Sequence, residues 1–240
     1  MNSATTGFSV TLGAWKMKKI VLALGALAIL SAVSVPASSF PLGLSVVGGI
    51  GAGYYSMGDL NRHLGLIAQS KHITLDDITG GVNARVEGRV WILDQLGITG
   101  GYEHFWGATD AEGTSSSLSY RAPTDGYTVG AIVVLLHVPD VVNLCVGVNG
   151  CFARSVYGTN ELVARRLSEF KGQHQGYEVF GEAHTNFIDP IEVGFQLGYR
   201  GLVIDSFTDK YGREAYFDSG MKMRLDYSGV FFYLTTAIRI

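Results

Sequence analysis

Nine ionisable residues recur at every second position of short apolar stretches. Arg85, Glu87 and Arg89 alternate with Val82, Ala84, Val86 and Val90, and Glu103, Glu178, Glu182, His184, Glu192 and Arg200 occupy equivalent places in later stretches. Successive side chains of a β-strand point to opposite faces, so this spacing gathers the charges on one side of a sheet. Such a face can form an ion-paired network, line a conduction path or, with a histidine base and a serine, hydrolyse an ester. A buried charge must be paired or meet water, because leaving it alone costs several kcal/mol. The spacing therefore predicts that Arg85 and Arg89 face carboxylates such as Glu103.

Hydrolytic chemistry is poorly supplied. Glu178, Glu182 and His184 share one strand face but have no obvious serine beside them. His104 stands on an otherwise apolar row with no serine two residues away. His63, His72, Asp76 and Asp77 fall in one connecting segment at a spacing that matches no metal-ligand pattern, so no metal and no cofactor are expected. Cys145 and Cys151 lie six residues apart on one strand face, about 20 Å at ~3.3 Å per residue. A disulfide needs Cα atoms within about 7 Å, so both should be free thiols.

The elements that carry these residues are strands. The 240 residues are 47% hydrophobic and 16% charged, with 32 glycines and 5 prolines. Past the N-terminus no apolar run approaches the ~20 residues of a spanning helix. Residues 1–37 read as a signal peptide, with Met17 a better initiator than Met1 and a small-residue cleavage pattern at Val35-Pro36-Ala37. Residues 38–240 form the folded domain. Lys16, Lys18 and Lys19 would be lost with the leader, leaving 15 basic against 21 acidic residues, which argues against nucleic-acid binding.

Eight alternating stretches follow: Gly43–Met57, Gly80–Ile92, one from Gly97, Tyr127–Val138, Val142–Tyr157, Gly176–Ile188, Ile191–Gly201 and Val230–Ile240. Polar segments join them, alternately long and short. Leu60, Leu64 and Ile67 give the first a helical turn or two, and the third spans Gly158 to about Gln175 with Arg165, Arg166 and Lys171. Tyr54, Trp106, Tyr127, Tyr177 and Tyr199 cluster toward the long-loop ends of the apolar faces, where an interfacial girdle would lie. The last stretch must pair with the first or leave an open edge. The fold expected is all-β, an eight-stranded antiparallel up-and-down transmembrane β-barrel. A soluble barrel would invert the faces and put Arg85, Glu87 and Arg89 in water.

This pattern resembles the small outer-membrane β-barrels of Gram-negative bacteria, the group of OmpX, OmpW and the OmpA membrane domain. The resemblance covers Pro41 to Ile240 and rests on architecture, without a diagnostic motif. It implies a bacterial outer-membrane location, outer-membrane lipid and lipopolysaccharide as surroundings, and barrel-insertion machinery as a partner. Gly229, Phe231 and Tyr233 resemble the C-terminal assembly signal of these families, although Ile240 stands where they usually end in an aromatic. Arg165, Arg166 and Lys171 could contact lipopolysaccharide phosphates. The role implied is structural or surface-interacting through the external loops. Passage of a small hydrophobic ligand, as in OmpW-like barrels, is the alternative, with Leu60–Ile67, Phe105 and Phe180 as gate or lining. A lipid A deacylase or acyltransferase is a third reading.

Overall fold

The computed structural model describes residues 43–93, 95–112, 117–138, 141–161, 166–188, 190–217 and 220–240. The signal peptide expected over residues 1–37 lies outside them. The described residues hold twelve strands and one helix, in order β1 (Gly43–Tyr54), α1 (Gly58–Lys71), β2 (Gly80–Leu93), β3 (Leu96–Trp106), β4 (Ala108–Glu112), β5 (Ser117–Arg121), β6 (Thr124–Val138), β7 (Val142–Glu161), β8 (Arg166–Ile188), β9 (Ile191–Gly201), β10 (Val203–Ile204), β11 (Leu225–Asp226) and β12 (Gly229–Arg239).

Eight of these strands form a ring. Each of β1, β2, β3, β6, β7, β8, β9 and β12 pairs antiparallel with the next, and β12 pairs back onto β1 from Ser45↔Arg239 to Gly53↔Phe231. Closure leaves the barrel no unpaired edge. The alternating sequence explains the choice of faces. Val46, Ile50, Val82, Val86, Val129, Val148, Phe195, Leu197 and Leu234 are exposed outward, while Arg85, Glu87, Arg89, Glu103, Glu178, Glu182, His184 and Arg200 are buried inside. A face this apolar suits lipid and not water, so the barrel is transmembrane and of the outer-membrane type. The inverted, soluble arrangement is excluded because Arg85, Glu87 and Arg89 are interior.

Strand tilt can be read from the register. The pairs run Ala183, Phe195, Leu234, Ile50, Ala84, His104, Asp125, Arg154, Gln173, so one circuit begins and ends on β8 ten residues apart. That stagger is roughly 33 Å along the strand. At a tilt of about 40° it is roughly 25 Å along the barrel axis, the height of the apolar band.

Two expectations change. The long polar segment from Gly158 to Gln175 is mostly strand: β7 continues to Glu161 and β8 starts at Arg166, paired throughout. The segment after Trp106 also holds a hairpin, β4 with β5, and β5 pairs onto the extension of β7 from Leu118↔Glu161 to Arg121↔Gly158. Beyond the lipid both sheet faces are free of the apolar requirement, so alternation fades although the ladder goes on. The helical turn near Leu60 is a 14-residue helix whose buried residues are Leu60, His63 and Leu64.

Over the long-loop mouth these segments make a second apolar core. Tyr55, Met57, Leu60, Leu64 and Ile78 from the first loop meet Tyr120, Tyr157, Leu202, Ile204, Phe207, Phe217, Met223, Leu225 and Tyr227. His63 stacks on Phe217 with ring centres 4.3 Å apart. The loops therefore form a packed cap.

Candidate functional site: a sealed lumen and a polar patch on the outer wall

Inward positions of β2, β3, β8 and β9 converge on the barrel axis. In the upper tier, Arg85 Nη2 donates to Glu103 Oε2 at 2.9 Å and also to Glu178, and its Nη1 donates to Gln196 Oε1 at 2.9 Å. Arg200 Nε donates to Glu178 Oε1 at 2.9 Å, and its Nη2 binds Glu103. Two guanidinium groups and two carboxylates thus alternate in a box. Aromatic rings close it: Arg200 lies 4.2 Å from the centre of Phe105, and Arg85 lies 5.5 Å from Phe231 and 5.1 Å from Tyr233. The Tyr233 hydroxyl donates to Glu103.

The lower tier is built on Arg89. Its Nε donates to Glu87 at 2.7 Å, and its two terminal nitrogens hold both oxygens of Glu182 at 2.5 and 2.6 Å. His184 Nε2 sits 2.8 Å from Glu182, and Glu192 at the turn end takes Arg239 at 3.5 Å. Gln196 joins the tiers, accepting from Arg85 and donating to Glu182 at 3.4 Å. Trp91, Ile132, Cys145 and Phe180 belong to an apolar cluster in the lumen that also holds Phe231 and Tyr233.

All nine ionisable residues of the alternating pattern enter the lumen, Glu192 at its rim. Both arginines face carboxylates: Arg85 takes Glu103, and Arg89 takes Glu87 and Glu182 in place of Glu103. The uncharged members, Gln196, Asn149, Thr99 and Tyr233, were visible in the sequence only as inward parity; Thr99 donates to Asn149 at 2.9 Å, and Asn149 donates to Glu178 at 3.3 Å. Phe105 and Phe180, offered as the lining of a route, are instead buried packing residues at 0% and 2% exposure. Phe231 and Tyr233 of the assembly-signal segment point into the lumen, and Ile240 is exposed just past β12.

Cys145 and Cys151 are buried free thiols. Burial should protect them: a membrane-impermeant maleimide is expected to leave both unmodified in the folded barrel and to modify both after denaturation, read by mass spectrometry. Modification of Cys151 in the folded state would show that the cap admits solvent.

Of the loop cations, Arg165 lies outside the described residues, and the side chain of Arg166 is likewise not described. Lys171 is half-exposed and pairs with Glu169 at 3.2 Å. Among the described residues no group of three His, Cys, Asp or Glu could hold a metal ion. His104 does acquire a partner. Its Nδ1 is 2.9 Å from Asp125 Oδ1, and Tyr102 Oη donates to the same oxygen at 2.6 Å. Asp125 escaped sequence reading because it precedes the apparent start of its strand at Tyr127.

No protein-family model and no curated protein matches the sequence. Solved structures with a similar trace include Ail of Yersinia pestis (9% identity, 83% of this chain and 99% of that one, TM-score 0.46). The outer membrane protein OprG of Pseudomonas aeruginosa (7%, 82% and 95%, 0.48) and the neisserial surface protein NspA (9%, 83% and 95%, 0.36) are others. With scores below 0.5, the barrel assignment rests on the chain's own ring of paired strands.

Proposed function

We propose that the protein is a non-conducting barrel of the bacterial outer membrane whose work is done at its outer surface. Its packed cap is the part offered to the surroundings. The observation that supports this is the double seal. The Arg85–Glu103–Arg200–Glu178 box bridges the lumen from β2 and β3 to β8 and β9, and the cap core around Leu60, Phe207, Phe217 and Tyr227 lies over the mouth. Eight strands leave an interior just wide enough for side chains to fill.

Passage of small hydrophobic molecules would need α1 to move and an apolar route beneath it. Beneath the cap lies a charged lattice, which an apolar solute cannot cross without displacing paired ions. Reconstituted into planar bilayers, the barrel is expected to show no steady conductance. A variant lacking residues 58–78 is expected to remain closed as well, because the lattice survives removal of the helix. Stable conductance, or dye uptake into liposomes that rises when the helix is removed, would establish transport in place of the surface role.

A further inference from the structure

The outer wall is apolar nearly everywhere. The outward rows of β1, β2, β9 and β12 carry no Asp, Glu, Lys, Arg or His. One region breaks the rule: in the slanted circuit, Ala183, Phe195, Leu234, Ile50 and Ala84 are followed by His104, Asp125, Arg154 and Gln173. The change of chemistry falls at the height of the aromatic girdle. Trp106 stands two residues above His104 on β3 and Tyr127 two below Asp125 on β6, both on the outward face. Tilt carries the row out of hydrocarbon and into the headgroup layer, where charge on a barrel wall costs only about 0–1 kcal/mol.

The groups gathered there are complementary in kind. Asp125 and Arg154 are directly opposed across β6 and β7, so their side chains leave the wall about 5 Å apart. Asp125 is held in place by Tyr102 and by His104, and its side chain keeps 37% exposure. Aromatic rings flank it: Trp106 packs edge-on to His104 at 4.5 Å, and Tyr127 lies 5.5 Å from Tyr102. A carboxylate among aromatic faces suits an ammonium group, and an arginine suits a phosphate. Lower on the same wall Gly88 and Gly100 are cross-strand partners, and a Cβ at either would meet only a backbone oxygen, at 3.9 or 4.0 Å. They leave a shallow notch between Val86 and Tyr102 above and Val90 and Ile98 below, into which an acyl chain can lie.

We propose that this patch binds the phosphoethanolamine group of a membrane lipid, with ammonium on Asp125, phosphate on Arg154 and an acyl chain descending along Gly88 and Gly100. His104 and Tyr102 are positioning residues that fix the Asp125 carboxylate. The proposal rests on the membrane-spanning reading and is independent of whether the lumen conducts. The group could belong to a phospholipid or to a glycolipid that carries it, so the test uses both.

The mature barrel in detergent is mixed with phosphatidylethanolamine or with phosphatidylglycerol of the same acyl chains, and retained lipid is read by native mass spectrometry. A parallel arm uses one outer-leaflet glycolipid with and without phosphoethanolamine. Discrimination in favour of the phosphoethanolamine form by about tenfold, ~1.4 kcal/mol, is expected in at least one arm. It should disappear in Asp125→Asn and Arg154→Gln and weaken in His104→Gln, with Lys171→Gln unchanged. Heat-modifiable gel mobility checks that each variant is folded. Equal retention of both lipids in both arms by the wild type overturns the proposal without need of any variant. Undiminished discrimination in a folded Asp125→Asn protein, or dimers that form through this face without lipid, overturns it too.

Discussion

Replacing Arg200 by methionine should lower the unfolding free energy by about 3–5 kcal/mol, the usual cost of removing one partner from a buried ion pair. Arg200 is 1% exposed and, together with Arg85, neutralises Glu103 and Glu178. Without it two carboxylates share one guanidinium in an enclosed lumen, and Phe105 loses the cation stacked over its ring. The measurement is a urea titration of the barrel refolded into lipid vesicles. A second protein separates charge from shape: adding Glu178→Gln to Arg200→Met removes the uncompensated carboxylate and should return a substantial part of the loss. If the single variant costs under 1 kcal/mol, the box is not a stabilising seal and the closed-lumen argument fails with it. The same logic explains why the lattice is weak evidence for stability as such. Apolar residues of equal volume could replace all four charges at little cost, so what the charges add is a lumen that apolar solutes do not enter.

Parity carried most of the fold. In β1, β2, β9 and β12 one face is apolar because it meets lipid and the other is polar or small because it meets the lumen, so alternation reports both register and orientation. The same reasoning explains each failure. Residues 166–175 pair with β7 outside the lipid, where Lys171, Gln173 and Gln175 face water, and no apolar partner marks their period. β6 has Ile132 and Val134 on the inner face against the Trp91 layer, so both its faces look apolar and its direction could not be read. The cap core draws Leu60, Tyr120, Phe207, Phe217 and Tyr227 from segments far apart in sequence, each contributing only a few residues, too few to show a period. In the site, ionisable residues were legible because charge at inward parity is rare and conspicuous. Gln196, which links the tiers, and Asn149, which bonds Glu178, were not, because an uncharged polar residue at that parity carries no obligation to pair.

Gly51→Val should prevent the barrel from closing, while Gly48→Ala on the same strand should be neutral. The two glycines lie three residues apart on β1 and face opposite ways across one seam: Gly51 pairs with Tyr233 and Gly48 with Thr236 of β12. A Cβ on Gly51 would land on the Phe232 carbonyl and the Tyr233 backbone, whereas one on Gly48 would meet nothing within 4 Å. Overpacking of a core ordinarily costs about 1–3 kcal/mol, because neighbours shift to make room. Here the neighbour is backbone, and it belongs to the ladder that joins the last strand to the first. Relief requires β1 and β12 to separate, which exposes two strand edges in lipid, where every unpaired backbone group costs several kcal/mol. The expected result is loss of the fast-migrating folded band on unheated gels, and aggregation on dilution from urea. Folded, heat-modifiable protein from Gly51→Val would mean that the β1–β12 seam tolerates separation and that closure is not what keeps the barrel in the membrane. Failure of Gly48→Ala alongside it would instead place the fault in the strand's conformational preference, since only that is shared by the two sites.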